Sequence, residues 1–118
     1  MFKRNSVPPQ AAAYAQKRME IIQSQFESKV FSAMHDGVTV SVTGTRKLQS
    51  ISGADPVSVG AVMQASELAY AQLEYERNLM LVQLRNEVQK MHRVDIKTMV
   101  PDIAAAVLFM EQRQSLAS

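Results

Sequence analysis

Cysteine and tryptophan are both absent from the 118 residues, and aromatic residues as a whole make up only 6%. Without cysteine there can be no disulfide scaffold and no metal or cluster site built on thiolates. Glycine is scarce too: Gly37, Gly44, Gly53 and Gly60 are separated by turns and strands, and none opens a glycine-rich run followed by Lys-Ser/Thr that would cradle a phosphate. Nor is there a strong excess of either charge. The 13 Lys+Arg against 11 Asp+Glu leave +2 spread along the chain, whereas nucleic-acid binding normally leaves a clustered basic stripe, so nucleic acid is not the expected partner. Long apolar runs are missing as well. The longest, Ile103 to Met110, falls well short of the roughly 20 residues that span a bilayer, so no transmembrane segment is expected. Lys3 and Arg4 lead into Asn5-Ser6-Val7-Pro8-Pro9-Gln10 where a cleaved secretory signal would need its apolar core.

Catalytic chemistry is equally poorly supplied. His35 precedes Asp36 and His92 stands three residues before Asp95, a spacing that on one helical face would set an imidazole beside a carboxylate. A nucleophile would need a third residue to orient its base, and the Gly-x-Ser-x-Gly turn is absent. No cluster of His or Cys has metal-ligand spacing. The expectation is a chain that is not an enzyme, with no cofactor and no metal, whose histidines serve as caps or surface groups. The adjacent basic pairs Lys17-Arg18 and Arg46-Lys47 read as solvated faces.

What the chain does contain is hydrophobic patterning, with 47% hydrophobic residues and eight methionines. A chain this short buries a modest share of its surface and has no covalent staples, which makes neighbouring copies attractive partners. Residues 1–9 read as a mobile leader, with residues 10–118 forming a single helical assembly domain that carries a β-hairpin insertion at about 38–51. Ala15, Met19, Ile22, Phe26, Val30 and Ala33 recur at steps of three and four, which predicts a helix over about 10–36 ended by Gly37. The period then becomes two: Val38, Val40 and Val42 alternate with Thr39, Ser41 and Thr43, as a half-buried strand requires. Residues 46–51 follow as a returning strand or a loop. A lone hairpin is marginal in water, so Val38, Val40 and Val42 are expected to form an inter-subunit strand or to lie against a helix.

Asp55-Pro56 is a helix-start signal, and the long helix is expected over about 56–93. One seam contains Met63, Tyr70, Leu73, Met80, Leu84, Val88 and Met91; a second contains Leu68, Tyr75 and Leu79. Together they exceed what one antiparallel neighbour can cover, so these ten residues are the expected assembly interface. Small residues from Gly60 to Ala71 would let another backbone approach closely. Pro101 breaks the chain into a last helix over about 101–114, with Gln112 to Ser118 as a polar tail. The expected fold is mainly α, with elongated helices, a short strand or hairpin, and no self-sufficient globule.

Within the long helix, Asp55-Pro56, Val59, Val62-Met63-Gln64-Ala65-Ser66, Arg77-Asn78, Leu81-Val82 and Val88-Gln89-Lys90-Met91 resemble the C-terminal part of flagellar rod-junction proteins and type III secretion inner-rod proteins. The resemblance implies a structural subunit of a multi-copy helical or ring assembly, a rod or export-channel component located in the bacterial cell envelope as part of the periplasmic rod and basal body. Its implied partners are itself, other structural subunits and a membrane export gate. The same residues are compatible with a virion structural protein, such as a connector, tail or internal component. A third reading is a small basic dimeric DNA-binding protein that uses the Val38–Val42 strand as a ribbon.

Overall fold

The computed structural model describes residues 8–53, 58–98 and 100–117. The leader expected over 1–9 lies outside them except for Pro8 and Pro9, as does Asp55-Pro56. The fold is mainly helical, with three α-helices and a small antiparallel sheet. Helix α1 covers Pro9–Glu27, strands β1, β2 and β3 cover Val30–His35, Val38–Thr43 and Leu48–Ser52, helix α2 covers Val59–His92, a single 3-10 turn covers Ile96–Thr98, and helix α3 covers Pro101–Ala117.

Helix α1 starts where proline is preset for it: Pro9 takes the first helical position, where its missing N–H costs nothing, and the Pro8 carbonyl accepts from Ala12 N–H at 3.0 Å. The helix expected to continue to about residue 36 stops at Glu27, and this corrects the reading of 28–36. Val30 and Ala33 fit a helical stripe, yet Val30-Phe31-Ser32-Ala33-Met34-His35 also satisfies the strand period, and hydrogen bonding to β2 decides in favour of β1. Asp36 and Gly37, at φ 50° and 76°, form the two-residue turn between β1 and β2. Positive φ at both positions is what the hairpin geometry demands, so Gly37 serves a β-turn and not a helix end.

The sheet order is β1-β2-β3 with both pairings antiparallel. Register places Phe31 opposite Val42 and Ala33 opposite Val40 on one side of β2, with Ile51 opposite Val40 and Leu48 opposite Val42 on the other. Val38, Val40 and Val42 are almost wholly buried. The expected inter-subunit strand is thereby corrected: β2 is the central strand, and its two edges are taken by β1 and β3 of the same chain.

Helix α2 begins two or three residues later than the Asp55-Pro56 signal suggests. Ser58 caps it, its hydroxyl accepting from Ala61 N–H at 3.3 Å and its carbonyl from Val62 N–H at 3.0 Å. It ends where Arg93 enters the left-handed region at φ 57°. Helix α3 opens on Pro101 as expected but runs through Ala117, so the expected polar tail is helical up to that residue.

The described chain divides into two compact units, one made of the chain up to Ile22 together with Arg77 onward, the other of Gln23–Glu76. In the first, Ala11, Ala15 and Ile22 of α1 share a core with Leu81, Leu84 and Val88 of α2 and with Ile96, Ile103, Ala106 and Val107. In the second, the buried side chains are Phe26, Phe31, the three β2 valines, and Ala61, Ala65, Ala69 and Leu73 along α2. The rings of Phe26 and Phe31 meet at 5.4 Å between centroids. Lys29 donates to Glu76 and Arg46 Nη2 to Glu74 Oε2 at 2.9 Å, fastening the open end of the β1-β2 pair, where Val30 faces Thr43, to α2.

Gly44, which follows β2, passes directly against the C-terminal turn of α1: a Cβ there would lie 1.8 Å from the Phe26 carbonyl oxygen. Only a residue without a side chain fits. Gly44→Ala is expected to lower stability by about 2 kcal/mol or more, because the obstacle is backbone and not a movable side chain; urea denaturation followed by circular dichroism checks this.

Candidate functional site

The ten residues expected to form an assembly interface fall into three groups. Leu73, Leu84 and Val88 are at most 2% exposed, inside the cores of this chain. Their assignment as interface is corrected: the most apolar stripe of α2 is consumed by α1, α3 and the residues of the second unit before any partner can reach it. Tyr70, Tyr75, Leu79 and Met80 are half-buried. Among these, Tyr70 donates from its hydroxyl to the Arg46 carbonyl at 3.2 Å, and Met80 packs on the first unit's core. Met63, Leu68 and Met91 stay exposed, at 58%, 46% and 58%.

Sequence periodicity pointed to α2 alone and missed other exposed aliphatic groups. Val30 and Met34 stand on β1, Leu48 and Ile51 on β3, and Leu108 on α3, all classed as exposed. Neither strand pair is legible in the sequence, because residues 30–35 also fit a helical stripe and residues 46–51 suit a returning strand or a loop. An open groove of about 510 Å³ runs beside α3, lined by Lys97, Pro101, Ala104, Val107, Leu108 and Glu111. Its apolar floor and two charged rims suit packing more than chemistry, since they lack a convergent set of polar groups.

The histidine pairs do not assemble into catalytic geometry. His35 Nε2 lies 3.5 Å from Asp36 Oδ2 at the exposed β1-β2 turn. His92 and Asp95 do not share a helical face, because Arg93 ends the helix between them. Asp95 is instead held by Arg85, whose Nε and Nη2 donate to its two oxygens at 3.1 and 3.0 Å, and by Lys97 N–H at 2.9 Å. The hydrogen bonds from Arg85 hold the Asp95 carboxyl below its ordinary value, against a smaller opposing effect of desolvation. His92 rests against the Tyr14 ring, 5.8 Å between centroids. Tyr14 donates to Glu87 Oε1, which Arg18 Nε also reaches at 3.3 Å. The Tyr14 bond is the main cause both of the lowered Glu87 value and of the raised Tyr14 value. Apart from the His35–Asp36 pair, which lies in the second unit, each of these polar contacts ties one part of the first unit to another. Among the described residues, no group of three or more His, Asp or Glu is placed to hold a metal ion, and no helix is long and apolar enough to cross a membrane.

No protein-family model matches the chain, and no curated protein matches it in a sequence comparison.

The forked Arg85–Asp95 pair locks the connection from α2 to α3, with side-chain exposures of 24% and 32%. Asp95→Asn is expected to cost about 1–2 kcal/mol at neutral pH. Because the folded state lowers the Asp95 value, this stabilisation is fully present above the unfolded-state carboxylate value and is lost as pH falls through the folded-state value. Urea denaturation at a series of pH values should show wild type and variant converging in acid; a gap unchanged by pH would mean that the ion pair is not the source.

Proposed function

We propose that this chain is a structural subunit that works in association with copies of itself. The observation that supports this most directly is on α2. After Ala61, Ala65, Ala69 and Leu73 have been buried, Val59, Met63 and Leu68 remain on the surface, Val59 at 74% exposure. Val59 and Met63, four residues apart, lie within about 40° of each other on α2 and have a reason to be there if a partner covers them, and unbranched methionine adapts to contacts that differ between copies. The resemblance of α2 to rod-junction and inner-rod proteins makes a flagellar or type III secretion-like rod or export channel, in the bacterial cell envelope, the first machine to consider, with an export gate among its partners. A virion structural protein is the alternative setting.

Sedimentation velocity over a wide concentration range tests the reading. The wild type should form discrete oligomers, and Val59→Glu combined with Met63→Glu should weaken association about tenfold or more, since burial against a partner would then desolvate two carboxylates. Circular dichroism should be unchanged, because both side chains are exposed in the single chain. Sedimentation as a monomer at every concentration would overturn the proposal.

A dimeric DNA-binding protein is the second reading, and one feature favours it. The sheet face opposite the core carries Ser32, Thr39, Thr43, Ser50 and Ser52 beside the exposed Val30 and Met34, with Ser41 buried among them, and Arg46-Lys47 sits in the turn beside it. Such a face offers hydroxyls to a duplex, with one cation of the pair, Lys47, making no ion pair with a described carboxylate. Fluorescence anisotropy with a labelled duplex decides: salt-sensitive binding that falls on Lys47→Ala supports this reading, and no binding at low salt removes it.

A further inference from the structure

We propose that the two units of this chain open independently of one another, and that Asn78 is the break in α2 that lets them do so. Along α2 the buried apolar positions are Ala61, Ala65, Ala69 and Leu73, then Leu81, Leu84 and Val88. From Leu73 to Leu81 the helix advances roughly 12 Å. The one buried residue on that stretch is Asn78, at 7% exposure. An amide puts polar atoms where a leucine would add apolar area, so the hydrophobic stripe is interrupted there. The division between the units falls at the same place, between Glu76 and Arg77.

The side-chain pairs of α2 change direction over the same turn. Glu74 and Glu76 receive bonds from Arg46 and Lys29 of the second unit, whereas Arg77 donates from Nη2 to Asp102 of the first at 3.2 Å. Two consecutive residues, Glu76 and Arg77, therefore hold different units. The aromatic contacts sort in the same way: Tyr14 meets His92 inside the first unit, and Phe26 meets Phe31 inside the second. A protein opens sub-globally where one cooperative set of contacts can be lost while another stays intact, and apolar packing that stops at a polar residue marks the border between two such sets. The three strands with the first half of α2 can then rearrange while the core built on Leu84, Val88 and Ile103 stays closed. Opening of this kind belongs to the single chain and does not depend on association.

Native-state hydrogen exchange of the full chain, read by NMR, tests this. Phe31→Ala removes a ring buried in the second unit. It should speed exchange of the β2 amides about tenfold or more, or abolish their protection, while those of Val88 and Ala106 stay within about twofold of the wild type. Leu84→Ala, in the first unit, should do the reverse. Asn78→Leu, which closes the gap in the stripe, should make each of these two substitutions felt in both units. Phe31→Ala or Leu84→Ala speeding both sets of amides equally, in the chain that retains Asn78, would mean that the molecule opens as one body and overturns the proposal. Separate responses that persist unchanged in the Asn78→Leu background would overturn the assignment of the break to Asn78.

Discussion

One helix has to serve two cores, and the rest of the structure follows from that. At 3.6 residues per turn a step of four residues overshoots by about 40°, so the three steps from Ala61 to Leu73 carry the buried side about 120° round α2. The buried positions of its second half, Leu81, Leu84 and Val88, are spaced by three and four and hold a steadier direction. The first half is narrow, with alanine at three of its four buried positions, and the second half is broad, with leucine and valine. Alanine lets neighbouring backbone come close where the valine-rich sheet unit is built, while the larger side chains fill the space left by Ala11, Ala15 and Ala106 on the helices packed beside them.

That rotation explains why the sequence suggested more interface than the structure allows. Two seams on one helix were correctly legible as contacts on several sides, but periodicity records that a face is covered and not by whom. Leu73, Leu84 and Val88 are covered by this chain; Met63 and Leu68, with the same chemistry, are not. The sheet was partly legible for a related reason. Val38–Val42 alternates so regularly that no helix competes, whereas Val30, Phe31 and Ala33 suit a helical stripe and a strand equally until the turn at Asp36-Gly37 fixes the pairing. What no local pattern contains is the long-range polar pairing: Tyr14 with Glu87 and Arg46 with Glu74 are brought together by the fold alone.

Apart from Tyr14 with Glu87, the polar pairs sit at the places where regular structure stops. Arg85 and Asp95 bracket the left-handed residue Arg93 that ends α2, Arg77 reaches Asp102 in the first turn of α3, and Lys29 and Arg46 flank the start of β1 and the end of β2. Most are exposed enough that each contributes little by itself. Their value is directional. A buried aliphatic core tolerates small sliding of one element on another, whereas a forked guanidinium–carboxylate pair has one geometry, so the connections are fixed by charge where the cores are fixed by volume.

The same division bears on what the surface is for. Where the chain has both a polar partner and a buried stripe available, as along the middle of α2, its apolar groups are covered. Val59, Met63 and Leu68 lie N-terminal to Tyr70, Glu74 and Glu76, the residues that receive bonds from or make bonds to the sheet unit, and there the coverage fails. Leu48 and Ile51 lie beyond the last strand that is paired on both sides. In both places the chain's own packing stops before its apolar sequence does. The assembly proposed above would cover the apolar groups at these two boundaries, which the single chain leaves exposed.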